Sequence, residues 1–194
     1  MSVKSLIRVA KLHCDNFEFF CIIRSFHESS VTIKLFNIIK PGVEVLLELS
    51  NGDLYALEHT GHSGEQATFA FSNAINVARF LAEPSPYPKR PARLRLLHPA
   101  CITFSTNTYN ATIVDISCGG AKVDSEIGLI IGEHIRLSAQ FLPPMDAIVR
   151  WKQGPRHGLT FLDPFHLNVI AEQTALIQKF ASANSHASRY LDIS

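Results

Sequence analysis

The chain lacks the short motifs that mark the common nucleotide and hydrolytic enzymes. It has no Gly-x-x-x-x-Gly-Lys-Ser/Thr loop, no Gly-x-Gly-x-x-Gly after a strand, no Gly-x-Ser-x-Gly and no His-Glu-x-x-His. Asp115 and Ser117 lie two apart, and no histidine adjoins them in sequence to serve as a base, so the chain reads as a non-enzyme. It also lacks charge of one sign: 18 Lys and Arg against 17 Asp and Glu leave a net charge of +1. That excludes a global basic field for duplex DNA or an anionic membrane surface, though not a local basic cluster. Cysteine is scarce. Cys14, Cys21, Cys101 and Cys118 form no Cys-x-x-Cys pair and none sits at zinc-finger spacing from a histidine, so neither a structural metal nor a cofactor is expected. His59 and His62 flank Gly61 without a nearby carboxylate or thiolate, which makes a poor metal pair and a plausible solvated turn. No apolar run approaches the ~20 residues that span a bilayer, and the first residues, Met1-Ser-Val-Lys-Ser-Leu-Ile-Arg8, hold no signal-like stretch. These features together read as a reduced, cytoplasmic protein without membrane insertion.

What the chain does have is a sizeable apolar complement. Of its 194 residues, 46% are hydrophobic and 18% charged, which excludes intrinsic disorder and allows two small cores. The clearest boundary is Glu83-Pro-Ser-Pro-Tyr-Pro-Lys-Arg-Pro-Ala-Arg93, which holds four of the chain's ten prolines. Proline fixes φ and donates no hydrogen bond, so this stretch reads as an extended linker. The expected organisation is a first domain over residues 1–83, a Pro-rich linker and basic arm over 84–92, a second domain over 93–181 and a flexible tail over 182–194.

The halves share a weak repeat at an offset of ninety residues: Val31 and Ile33 against Ala121 and Val123, Gly42 against Gly132, Phe71 against Phe161. Short β-branched, turn-punctuated segments predict strands at 17–23, 30–36, 43–50, 53–59 and 67–71 in the first half. In the second half they fall at 92–97, 100–106, 109–117, 121–125, 134–141, 147–152 and 158–161. Each half then enters a helical segment, Ser72 to Ala82 and Pro164 to about Ala181. The fold class is therefore mainly β, with two small antiparallel β-barrels, each followed by a helix.

The informative constellation has two parts. Lys89-Arg90-Pro-Ala-Arg93-Leu-Arg95 puts four cations into seven residues ahead of a strand. Asp115-Ile-Ser117-Cys-Gly119-Gly120 joins two β-branched strands. Arginine grips a phosphate or the O6/N7 edge of guanine with a planar fork. Asp115 can accept from guanine N1–H and N2–H, Ser117 offers a short hydroxyl, and Gly119 and Gly120 permit positive φ and close approach to a ligand. Separately, linker cations are ordinarily solvated and Asp-x-Ser-x-Gly-Gly is a common turn. Together they describe a site for an anionic, guanine-bearing small molecule, with Arg95 and Arg150 as outside candidates.

At these residues the chain resembles the PilZ family, bacterial receptors for cyclic di-GMP. The family's Asp/Asn-x-Ser-x-x-Gly element is matched by Asp115, Ser117 and Gly120. Gly132, Val149-Arg150-Trp151 and Gly158-Leu-Thr-Phe161 follow in the family's order, and the resemblance covers about residues 87 to 181. The arm departs from strict Arg-x-x-x-Arg: with Arg93 in the second position, the first holds Lys89, with Arg90 beside it. The resemblance implies a six-stranded barrel with a C-terminal helix. It implies a cyclic di-GMP receptor in which Lys89, Arg90, Arg93, Asp115, Ser117, Gly119 and Gly120 bind ligand and the linker orders to reorient the domains. Ser25, His27 and Ser30 stand at the same offset in the first half and no arginine arm precedes them. The first half thus resembles a degenerate copy without the ligand motif, used for homodimer contacts or for packing against the second. Motility, biofilm and exopolysaccharide production are the processes implied, through an unidentified protein partner. The alternative is a PilZ-like protein-interaction module that has lost nucleotide binding. A nucleic-acid-binding barrel would need a basic face with interleaved aromatics, which the strands after Arg95 do not supply.

Overall fold

The computed structural model describes residues 4–39, 42–86 and 91–191. It separates into two compact units, Met1–Leu94 and Arg95–Ser194. The first contains β1 (Lys4–Cys14), β2 (Phe17–Phe26), β3 (Ser30–Leu35), β4 (Val45–Glu48), β5 (Leu54–Ser63), β6 (Gln66–Phe71) and α1 (Val77–Ala82). The second begins one residue into β7 (Leu94–Phe104) and contains β8 (Asn107–Ser117), β9 (Gly120–Ser125), β10 (His134–Ala139), β11 (Leu142–Gln153), β12 (Arg156–Phe161) and α2 (Leu167–Leu191). Each set of six antiparallel strands closes into a barrel, in the orders β1-β2-β3-β6-β5-β4 and β7-β8-β9-β12-β11-β10.

The ninety-residue offset extends to the backbone. β1 and β7, β3 and β9, β6 and β12, and the first residues of α1 and α2 all start ninety residues apart. So do the register irregularities at Ile23/Ser25 and Ile113/Asp115, and those at His59/Gly61 and Val149/Trp151. Asp15 and Ser105 share left-handed φ values of 54° and 55° at equivalent turns. Inward positions agree as well: Leu12, Ile23, Ile33 and Leu47 are buried, as are Ile102, Ile113, Val123 and Leu137.

Three expectations about strands are corrected. β1 was not foreseen. Ala10, Leu12 and Cys14 alternate with Lys11 and His13 as a strand should, but further up the strand apolar Ile7 and Val9 stand on the outward face and Arg8 on the other, so the hydropathy does not follow the period. The two strands expected over 92–97 and 100–106 are one strand, β7. Leu97 takes a left-handed φ of 47° in place of a break, and Pro99 lies outside the stretch Ala100–Thr103 that pairs with β10. β10 ends at Ala139, and β11 begins at Leu142, five residues before the expected strand. Pro143 and Pro144 fit inside β11 because the register shifts there, with Leu137 facing Met145 and Ala139 facing Leu142. The helical backbone of α2 runs through residues 182–191, where a tail was expected; no Gly or Pro interrupts that segment.

Helix α1 has six residues, too short to persist without help. The Asn76 carboxamide accepts the Arg79 amide at 3.0 Å, and Arg79 forms a two-pronged pair with Asp53 at 2.8 and 2.6 Å. At the other end Arg8 donates to the Phe80 and Leu81 carbonyls at 3.0 and 2.9 Å and pairs with buried Glu83 at 2.5 Å. The Ser50 hydroxyl donates to the other Glu83 oxygen. Held this way, Phe80 is buried against Phe26, Tyr55 and Phe71, with ring centroids 5.0–5.7 Å apart. In α2 the buried residues Ile170, Ala171, Thr174 and Ile177 lie along one face at helical spacing.

These contacts and the burial of one histidine each generate a stability prediction. Arg8→Ala leaves the Glu83 charge buried without its partner and should cost the first unit roughly 3 kcal/mol in urea unfolding. His157 is fully buried in the second barrel and neither ring nitrogen makes a hydrogen bond. Burial, and then the charge of Lys152, hold its pKa below the ordinary 6.5, while the Pro155 carbonyl and Asp124 act weakly the other way. The unfolded chain therefore takes up this proton before the folded one does. Stability is full above the ordinary value and falls as pH drops below it. Urea midpoints taken at about pH 7.5 and about pH 5.5 should show a larger acid loss in the wild type than in His157→Leu.

Candidate functional site

The Asp115–Gly120 segment forms the end of the β8–β9 hairpin. Cys118 and Gly119 make the two-residue turn, so Ser117 faces Gly120, Ile116 faces Ala121 and Asp115 faces Lys122. The irregularity at Ile113/Asp115 inserts an extra residue, which lets Ile113 and Ile116, three apart, both enter the core. Asp115 and Ser117 are thereby set on the opposite face from these two. Both are nevertheless buried, at 7% and 2% exposure. The Asp115 carboxylate pairs with Lys122 across the hairpin, Nζ to Oδ2 at 2.5 Å. The Ser117 hydroxyl donates to the Gly120 carbonyl at 3.2 Å. The turn is also held from outside the hairpin: the Phe161 amide donates to Gly119 O at 3.0 Å and the Phe165 amide to Cys118 O at 2.8 Å.

The two glycines have different reasons to be glycine, and neither is a positive φ, which corrects the expectation for both. A Cβ on Gly120 would lie 2.2 Å from the Leu159 carbonyl oxygen, so the absence of a side chain lets β9 approach β12. A Cβ on Gly119 would meet nothing within 4 Å, so this tip of the hairpin is open. Gly158, on the same wall, seats the indole of Trp151: a Cβ there would fall 2.0 Å from Nε1. Burial raises the Cys118 thiol pKa, which argues against a reactive thiolate in the turn.

The arm is described only in part. Lys89 and Arg90 lie outside the described residues. Arg93 is exposed one residue before β7, and β7 is the barrel neighbour of β8, which carries Asp115 and Ser117. Arg95 is exposed on β7 and Arg150 on β11. The structure thus brings Asp115, Ser117, Gly119 and Gly120 together on one hairpin. It adds Lys122, which sequence reasoning missed although a signal was present: counting outward from the two-residue turn pairs it with Asp115. Among the described residues no group of three or more His, Cys, Asp or Glu side chains could hold a metal ion, and no helix is long and apolar enough to cross a membrane.

The site is thus a small closed barrel with a trailing helix and an acidic, glycine-tipped hairpin in its wall. Residues 89–175, a stretch that includes the second barrel, match the family model described as PilZ domain. No curated protein matches the chain in sequence. Several solved structures resemble it along most of its length. YcgR of Escherichia coli in complex with c-di-GMP is 14% identical, with 95% of this chain and 88% of that chain covered and a TM-score of 0.38. PlzA of Borreliella burgdorferi in complex with c-di-GMP is 13% identical, with 87% of each chain covered and a TM-score of 0.37. The inhibitor of motility MotI/DgrA of Bacillus subtilis is 12% identical, with 93% and 99% covered and a TM-score of 0.38. Whole-chain likenesses this distant say nothing about function.

The glycine geometry separates two substitutions. Gly120→Ala forces β9 away from β12 and should cost about 3 kcal/mol in chemical denaturation of the second barrel. Gly119→Ala should stay within about 0.5 kcal/mol of wild type.

Proposed function

We propose that the chain is a non-enzymatic, cytoplasmic receptor for cyclic di-GMP. The observation that carries this reading is the hairpin of the PilZ domain: Asp115 and Ser117 sit side by side under an open Gly119 tip, beside the strand that the basic arm enters. Asp115 accepts the N1–H and N2–H of a guanine. Lys89, Arg90 and Arg93 hold phosphates and guanine edges, and the arginines can do so in bidentate fashion. The first barrel, over residues 1–83, carries Ser25, His27 and Ser30 at the equivalent positions and takes no nucleotide. Binding orders the 84–92 linker and changes the orientation of the two domains, which passes the signal to a protein partner in a process such as motility, biofilm or exopolysaccharide production.

A second reading has its own observations. The first arm position holds Lys89, and Asp115 already has a cation across the hairpin. Under that reading the barrel is a protein-interaction module that has lost the nucleotide. Isothermal titration of cyclic di-GMP into the full chain at moderate salt decides between them. The receptor reading expects saturable binding, weakened roughly ten- to hundredfold in Arg93→Ala and in Asp115→Ala, since each removes charged hydrogen bonds. Absence of heat, with no displacement of a labelled nucleotide at high micromolar ligand, would leave the interaction module.

A further inference from the structure

We propose that Lys122 is a ligand-site cation: it cancels the charge of Asp115 and offers its remaining donors to a phosphate of the same nucleotide. This rests on the receptor reading and adds to it a residue outside both the arm and the Asp-x-Ser-x-x-Gly element.

Three observations carry it. First, the pair is built into the hairpin. The register places Lys122 opposite Asp115, and Nζ lies 2.5 Å from Oδ2. Second, the two partners differ in access. The Asp115 side chain is 10% exposed and the Lys122 side chain 33% exposed, so the ammonium is the solvent-facing end of the pair. An ammonium carries three N–H donors, and a contact with one carboxylate oxygen leaves others to face an incoming anion.

Third, the molecule contains its own control. The first barrel has the same hairpin with the same irregularity ninety residues earlier, and there Ser25 faces Thr32. That hairpin closes in the same register without either charge, so the fold does not require the Asp115–Lys122 pair. The charges occur in the barrel that has the basic arm and are missing from the one that lacks it. Electrostatics supplies the reason. A carboxylate that reads guanine also repels the ionised phosphodiesters of the same ligand, and the repulsion is strong where water is displaced. A cation on the carboxylate removes that penalty.

The test measures cyclic di-GMP affinity of the full chain across a range of salt concentrations. Lys122→Gln should bind about tenfold more weakly and show a flatter salt dependence, because one screened attraction is lost. Lys122→Arg should keep both affinity and slope. A wild-type chain that fails to bind overturns this inference together with the receptor reading. Wild-type binding that Lys122→Gln matches in affinity and slope overturns the inference alone and leaves the receptor intact. Should Lys122→Gln fail to fold, Asp115→Ser combined with Lys122→Thr takes its place, since the first barrel shows that the fold accepts that pair; retention of wild-type affinity and slope by the folded double variant would equally sink the assignment.

Discussion

The pairing of the first strand with the fourth governs each half of this molecule. Six antiparallel strands leave two edges, and an open edge is a template for unwanted pairing. Here β1 meets β4 through Leu12 opposite Leu47, and β7 meets β10 through Ile102 opposite Leu137, with all four side chains fully buried. Closure fixes which alternate residues point inward. It requires strong twist and bend, and the paired irregularities in β2 and β8 and in β5 and β11 supply them. Without the extra residue at Ile113/Asp115, Ile113 and Ile116 could not both reach the core, and Asp115 and Ser117 would point to the same side as Ile113.

One scaffold therefore appears twice with different surface chemistry. In the first barrel the closing seam carries charge: Lys11 lies 3.0 Å from Glu48 and 3.5 Å from Glu18, and His13 lies 2.6 Å from Glu48. At the equivalent positions the second barrel has Cys101, Ser138, Thr108 and Thr103, with the two threonine hydroxyls 3.1 Å apart. The hairpins reverse this contrast, Ser25 and Thr32 standing in the first barrel where Asp115 and Lys122 stand in the second. Outward positions tolerate such exchange because the core and the irregularities specify the fold. The inward position of His157 is the exception. It takes the place of Ala67 and puts an imidazole without a hydrogen bond where the first barrel has a methyl group.

The helices show the same division of labour. Residues Val77–Ala82 cannot hold a helix by propensity, and both ends are secured by groups from elsewhere, Asp53 on Arg79 and Arg8 on the final carbonyls. These partners are 26 and more than 70 residues distant in sequence, so no local reading could find them. In α2 the buried residues Ile170, Ala171, Thr174 and Ile177 recur at helical spacing, while apolar Val169, Leu176 and Phe180 stay exposed, so here too packing and not hydropathy alone decides the buried face.

Much of the fold was legible in the residues themselves. The ninety-residue repeat, the Pro-rich segment between the halves and the alternation of most strands all come from nearest-neighbour chemistry: backbone restriction by proline, period-two burial, and turns at Gly. The hairpin motif was legible for the same reason, since Asp115, Ser117 and Gly120 are close along the chain. Strand β1 was not, because Ile7 and Val9 occupy outward positions and Arg8 the opposite face, so apolar and polar residues do not mark its two sides. The roles of Gly120 and His157 were not legible either. A glycine chosen to admit a neighbouring strand and one chosen for a ligand look alike in sequence, and an inward histidine looks like an outward one. Local sequence decided which segments are strands and where they turn. Only barrel closure decided which strands meet, and with that which side of the hairpin holds Asp115, what stands opposite it, and which glycine has no room for a side chain.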